Sequence, residues 1–224
     1  MKKYLLVLSI PILLVCSCQK DKAPALLHPV ADYIPTAAGS TWVYNVGDGT
    51  GHSYGTFTVT ATAEPVQKDG RTFSVLSGGS ILPGGGDKSY FYKTPGQYKT
   101  YYTVVHDDAT GIDFDVPILL NRITLNKDTT YFIPAADVSK PAPWQVQCIN
   151  GNQNYQDVTI NGKAYDNCIV TITNILKYND DPKSAYYGTY EVYDTYAFTF
   201  APNIGIIEVA SNYQINTLIS SDLK

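Results

Sequence analysis

The chain reads as an all-β protein: a single domain built on a strongly curved antiparallel sheet or open half-barrel, with little helix. Three observations predict it. Thr, Tyr, Val and Ile alternate between Gly, Pro and Asn-Asp clusters rather than recurring with helical period. Aromatic side chains are plentiful, with 19 Tyr, 7 Phe and 2 Trp among 44% apolar and only 16% charged residues. Asn161-Gly162, set between Val158-Thr159-Ile160 and Lys163-Ala164-Tyr165, is a two-residue hairpin turn, because a type I′ turn needs positive φ at both central positions.

The elements follow in order. Thr41 to Val46 is the first strand, with Trp42 and Tyr44 sharing a face that packs the sheet. In Phe57 to Thr62 the apolar residues fall on one side and the threonines on the other, as a half-buried antiparallel strand requires. Lys68-Asp69-Gly70 turns the chain into Arg71 to Leu76, Ser89 to Tyr92 and Gln97 to Val105. Between the first two of these, Gly78-Gly79 and Gly84-Gly85-Gly86 flank Ile81-Leu82-Pro83. Without a following Lys-Ser/Thr this is no phosphate loop, and it reads as a mobile loop or lid. Pro134, Pro141 and Pro143 mark the longest irregular connection, with at most a turn or two of helix around Ala135 to Ser139. Trp144 to Ile149, Gln156 to Ile160, Lys163 to Leu176, Tyr186 to Phe200, Ile204 to Val209 and Tyr213 to Ile219 complete the strands. Laid flat, the two long ones would span about 45 Å, so they must twist, coil or bulge.

The first residues say where the domain goes. Lys2 and Lys3 precede an apolar run from Tyr4 to Cys16 broken by Ser9 and Pro11, the layout of a secretory signal and too short to span a bilayer. Val15-Cys16-Ser17-Cys18 resembles the lipobox of bacterial lipoproteins. That likeness makes residues 1–17 a removable signal peptide and Cys18 the acylated N-terminus; Cys16, preceded by Leu14 and Val15, lacks the small residue a lipidated cysteine follows. Several acyl chains hold permanently where one would not, at about 0.8 kcal/mol per buried methylene. Residues 18–35, with Pro24, Pro29 and Pro35, form a tether, and 36–224 the β domain. Gln19-Lys20-Asp21-Lys22 resembles a degenerate export signal for the outer face of the outer membrane, with an ordinary polar tether as the alternative. Loss of Lys2 and Lys3 takes the net charge from −4 to −6, so nucleic acid is not an expected partner.

Asp32-Tyr33-Ile34-Pro35 followed by Gly39-Ser40-Thr41-Trp42-Val43-Tyr44 resembles the opening of a family of Bacteroidota-type outer-membrane lipoproteins. Phe198 to Ile207 resembles the same family's closing aromatic strand and Gly-containing turn, with Asn203 and Ile204 in place of its usual Gly and Val. The resemblance implies an open half-barrel sheet of the kind found in lipoprotein carriers and leaves activity open. Asp128-Thr129-Thr130 similarly resembles the short O-glycosylation acceptor of proteins secreted by this group.

Candidate chemistry is sparse. With Cys18 acylated, Cys148 and Cys168 remain; both sit on apolar parities, and an oxidising compartment permits a disulfide between them. His106 with Asp107, Asp108, Asp113 and Asp115 lacks the alternation of a calcium loop, so no metal or cofactor is expected, and no Gly-x-Ser-x-Gly is present. Glu64, Glu191 and Glu208 are the only glutamates. On the strand from Tyr186, parity assigns Tyr186, Tyr190, Val192, Tyr196, Phe198 and Phe200 to the core. It assigns Tyr187 and Tyr193 to an outward platform, which Tyr101, beside Tyr90, Tyr92, Tyr98 and Tyr102, would extend. The expected function is a non-enzymatic, outer-membrane-anchored module for a glycan, peptide or protein. The alternatives are a tethered carrier of a lipid or acyl chain in the concave face, and a glycan hydrolase or esterase needing two convergent carboxylates.

Overall fold

The computed structural model describes the backbone of residues 31–68, 70–79, 81, 87–94, 97–107, 112–122, 129–133, 141–149 and 155–224, and the side chains of those outside 97–133. They form β1 (Thr41–Gly47), β2 (Ser53–Ala61), β3 (Val66–Lys68), β4 (Arg71–Ser77), β5 (Lys88–Thr94), β6 (Gln97–Asp107), β7 (Ile112–Arg122), β8 (Thr129–Ile133), β9 (Trp144–Ile149), β10 (Gln156–Ile160), β11 (Lys163–Tyr178), β12 (Tyr190–Ala201), β13 (Gly205–Ala210) and β14 (Ile215–Asp222). All pairings are antiparallel. The order is β7-β6-β5-β4-β2-β1-β14-β13-β12-β11-β9-β8, with β3 beside β4 and β10 beside β11. The sheet is not closed, and no helix occurs among the described residues. The expected helical turn at Ala135 to Ser139 lies outside them. β3, β7 and β8 went unforeseen: β7 carries Pro117, which tells against a strand, and tolerates it at the end of the sheet order, where a ladder donor is dispensable.

The first and last strands meet at the centre of that order, where β1 pairs β14 from Thr41↔Asp222 to Gly47↔Ile215. The two signature segments meet there too. The Trp42 indole donates to the Ile204 carbonyl at 2.8 Å and the Tyr44 hydroxyl to that of Ile206 at 2.7 Å; both rings are buried. Burial, with Tyr165 adding, raises the Tyr44 pKa far above the usual phenol value and keeps it a donor. Gly205, at φ +108°, is needed in this clasp, since a Cβ there would sit 3.3 Å from Pro35 and 3.5 Å from the Trp42 nitrogen. Upstream, the Asp32 amide donates to the Asn203 side chain and the Asn203 amide to the Asp32 carbonyl. The Tyr33 hydroxyl donates to the Asn167 carbonyl, and Tyr33 and Ile34 are buried.

Two bulges overturn the parity expectations. In the β10–β11 pair, Gln156↔Cys168 is followed by Val158↔Tyr165, so Asp166 and Asn167 oppose Asp157 alone. Asn167 takes φ 55° and its amide donates to Asp157, a bulge that shifts the alternation. Beyond it Thr171 and Thr173 are fully buried, while Ile172 is 39% exposed. In the β11–β12 pair, Ile175↔Asp194 is followed by Leu176↔Val192, leaving Tyr193 as the extra residue. Core parity therefore holds for Tyr196, Phe198 and Phe200, all buried, and fails for Val192, which is exposed. Tyr186, also assigned to the core, is exposed because the chain is still turning there; β12 starts at Tyr190.

The face shared by Trp42, Tyr44, Tyr196, Phe198, Phe200, Val146 and Trp144 is the core. Ile81 plugs it: its side chain is buried, its carbonyl accepts from Asn216 at 2.9 Å and its amide donates to Ser89. The residual cavity among Ile81, Trp42, Tyr44, Leu76 and Phe91 is about 10 Å³, room for one water at most. Ile81 thus belongs to the core, and residues 82–86 of the expected lid lie outside the described chain.

Thr173 supplies a test of the shifted register. Its buried hydroxyl has no hydrogen-bond partner among the described atoms, and such a group costs about 1–3 kcal/mol. Thr173→Val should raise stability by about 1 kcal/mol, or roughly 2–4 °C in melting temperature for a domain of this size. A lowered midpoint in thermal or urea unfolding would place the hydroxyl in a bonded environment.

Candidate functional site

The β11–β12 hairpin ends in a turn over 179–189, held by its own polar atoms. Asn179 donates its amide to Thr189 O and accepts from Gly188 N, both at 2.9 Å. Its side chain bonds Ser184 and Glu191 and accepts from the Asp181 amide. Asp181 receives the Lys183 amide, and Ser184 the Tyr186 amide. Asx and Ser turns of this kind fix a loop that no apolar packing fixes. Gly188, at φ 79°, completes it.

Beside the turn lies an open groove of about 380 Å³, lined by Lys177, Tyr178, Asn179, Asp180, Asp181, Glu191, Val192 and Tyr193. The bulge makes it: as the extra residue of its strand, Tyr193 is turned out to 47% exposure, with Val192 at 58%. Its ring stands edge-on to buried Trp144 at 5.2 Å, and the Lys177 ammonium lies 5.7 Å from the same indole. Tyr190 backs the groove, edge-on to Tyr178 at 5.3 Å, with its hydroxyl donating to Ala142 O at 2.7 Å. Rigidly seated aromatic edges next to carboxylates, amides and an ammonium can stack an apolar ring face while exchanging hydrogen bonds with its polar substituents.

Of the platform residues expected from sequence, Tyr193 is in the groove and Tyr187, 58% exposed, is on the adjoining turn. Tyr101 lies on β6, and its side chain is outside the described residues. Sequence parity missed Val192, Tyr178 and the Asn179–Glu191 pair; the Asn179-Asp180-Asp181 cluster was legible as a turn but not as a wall. The three glutamates are dispersed. Glu191 is in the groove, Glu64 is exposed after β2, and Glu208 is half-buried on β13, where burial raises its pKa. Three carboxylates do gather at the groove, with Glu191 bonded to Asn179 and Asp181 to the Lys183 amide. No His, Cys, Asp and Glu cluster suited to a metal occurs among the described residues. His106 pairs with Asp113 across the β6–β7 ladder, and its side chain is not described.

The proposed cysteine pair does not form. Cys148 lies opposite Thr173 and Cys168 lies five residues earlier on β11, about 16 Å along the strand at 3.3 Å per residue. Five is odd, so the thiols also point to opposite faces, and a disulfide needs Cα atoms within about 7 Å. Cys168 donates weakly to the Tyr165 carbonyl at 3.6 Å. Burial, then Asp157 and Asp166, pushes its thiol up to about 11.

No family model matches the chain, and no curated protein does. Two solved structures are similar in fold. One is a candidate lipoprotein from Parabacteroides distasonis ATCC 8503, at 12% identity and a TM-score of 0.45, covering 86% of this chain and 99% of that one. The other is a candidate exported protein with a YmcC-like fold from Bacteroides fragilis NCTC 9343, at 12% identity and a TM-score of 0.44, with the same coverage.

The cysteine geometry predicts that a thiol reagent leaves Cys148 and Cys168 almost untouched in the native protein. After unfolding without reductant, both should titrate. Recovery of those two thiols only after reduction would mean that the β9–β11 register is wrong.

Proposed function

We propose that this protein is a non-enzymatic, outer-membrane lipoprotein, held by acyl chains on Cys18, whose β11–β12 hairpin groove binds a glycan. The observation that carries the reading is the pairing of a filled concave face with an open aromatic groove. Ile81 and the core aromatics leave about 10 Å³ beneath Trp42, while the bulge sets Tyr193 and Val192 at the rim of about 380 Å³. A sugar ring offers an apolar face to Tyr193 and hydroxyls to Glu191, Asn179 and Asp180, matching the mixed lining. The anchor rests on the lipobox-like Val15-Cys16-Ser17-Cys18. A carrier of acyl chains finds less support, because the described part of the concave face is occupied by the chain itself. A hydrolase finds less as well, since Glu191 and Asp181 are engaged in holding the turn.

Full-length lipoprotein in detergent, applied to an oligosaccharide array, should bind a subset of glycans. Tyr193→Ala should weaken that binding about three- to tenfold, the value of one aromatic contact. Labelled palmitate should enter the wild-type chain and not Cys18→Ala. Binding only to a parallel peptide array, or glycan binding indifferent to Tyr193, would overturn the ligand assignment; label lost only in Cys16→Ala would overturn the anchor site.

A further inference from the structure

We infer that the groove selects its ligand by charge: it takes a sugar ring that carries a free ammonium, a non-acetylated hexosamine, ahead of the N-acetylated ring and of a uronic acid. The inference rests on the glycan reading above and narrows it to one class of ring.

The polar lining supplies the first half of the argument. Asp180, Asp181 and Glu191 stand against a single cation, Lys177, so three carboxylates face one ammonium and the groove holds a net charge of −2. The three acids differ in duty. Glu191 accepts from the Asn179 side chain, and one oxygen of Asp181 accepts from the Lys183 amide. Asp180 is exposed and has no hydrogen bond or ion pair among the described residues, so its whole carboxylate is left to a ligand. Donors are scarcer. Asn179 commits its side-chain NH₂ to Ser184 and Glu191, and the Lys177 ammonium is drawn to the Trp144 indole at 5.7 Å. A lining of this kind accepts far more readily than it donates, and its complement is a ligand rich in N–H and O–H groups and free of negative charge.

The aromatic lining points the same way by an independent route. The electron-rich face of an aromatic ring attracts cations and repels anions, and the seating of Lys177 beside Trp144 is one instance of it in this groove. Tyr178 and the 47% exposed Tyr193 set two more rings along the same wall. An ammonium on a ring stacked at Tyr193 meets carboxylates and π-electron density, both attractive. A uronate meets the same groups with the wrong sign, and an N-acetyl group forfeits the charge altogether. Because Asp180 and Asp181 are exposed, water and salt screen the attraction, so the preference is modest and falls with ionic strength.

Full-length lipoprotein in neutral detergent, titrated at about pH 6 where a sugar amine is protonated, tests this with trimers of glucosamine, N-acetylglucosamine and galacturonic acid. At low salt the glucosamine trimer should bind about three- to fivefold more tightly than the acetylated one, the value of an exposed ion pair, and the uronate trimer should bind most weakly. Salt at about 0.5 M should remove most of the difference. Asp180→Asn should bring the amine-to-acetyl ratio toward one, and Lys177→Gln should raise it. Equal binding of all three trimers, tightest binding of the uronate, or an amine preference that neither substitution moves overturns the charge selection. If that binding still falls in Tyr193→Ala, the glycan reading stands without it. Binding of no trimer, or binding that Tyr193→Ala leaves unchanged, overturns the glycan reading and the inference together.

Discussion

The fold depends on a clasp between segments 162 residues apart in sequence. Trp42 and Tyr44, from the first strand, cross to the backbone carbonyls of Ile204 and Ile206 at the start of β13. Each is an amphipathic aromatic used at both ends: the ring fills the core, and the polar tip donates to a backbone carbonyl. Side chains of that size contribute about 3–5 kcal/mol when fully buried. Because β1 also pairs β14, the clasp reinforces the place where the N-terminal and C-terminal halves of the sheet join edge to edge, without a closed barrel. Gly205 makes the approach sterically feasible, and the Asp32–Asn203 bonds bring the tether to the same place.

Regularity elsewhere is broken where it matters. A flat ladder between β11 and β12 would present two alternating faces along its whole length, one apolar and one polar. The bulge at Tyr193 ends that alternation before the hairpin turn, so a side chain in register for neither face swings outward and a groove opens beneath it. The bulge at Asn167 acts at the other end, within the pairing of β11 with β10. Both cost some ladder regularity, and both fall at the ends of the longest strands, where twist accumulates.

The concave face is more polar than its aromatic lining suggests. Thr171, Thr173, Asp194 and Asn216 are buried there, and Asp194 is met by the Tyr196 hydroxyl at 2.7 Å. Asn216 holds the Ile81 carbonyl and so seats an apolar plug with an amide. An interior built this way fits a rigid, filled scaffold, with recognition moved to the strand ends and turns, as is common where a sheet serves as a platform.

Residue order by itself determined the class of fold, most strand positions, the Asn161-Gly162 hairpin and the burial of Trp42 and Tyr44, because period-two alternation and turn chemistry are local properties. It also marked Tyr187 and Tyr193 as outward. It misplaced Val192 and Tyr186 and left the Cys148–Cys168 pairing open. A bulge is a property of two strands together: nothing in Val192-Tyr193-Asp194 alone says that two residues will face one across the ladder. β7 escaped notice because Pro117 and its aspartates mimic a loop, and only its place at the end of the sheet makes them tolerable. Tertiary structure alone decided that the two signature segments touch, that Ile81 fills the concave face, and that Tyr193 stands out beside the β11–β12 turn. These are juxtapositions between distant parts of the chain, fixed by register and strand direction, which local periodicity does not encode.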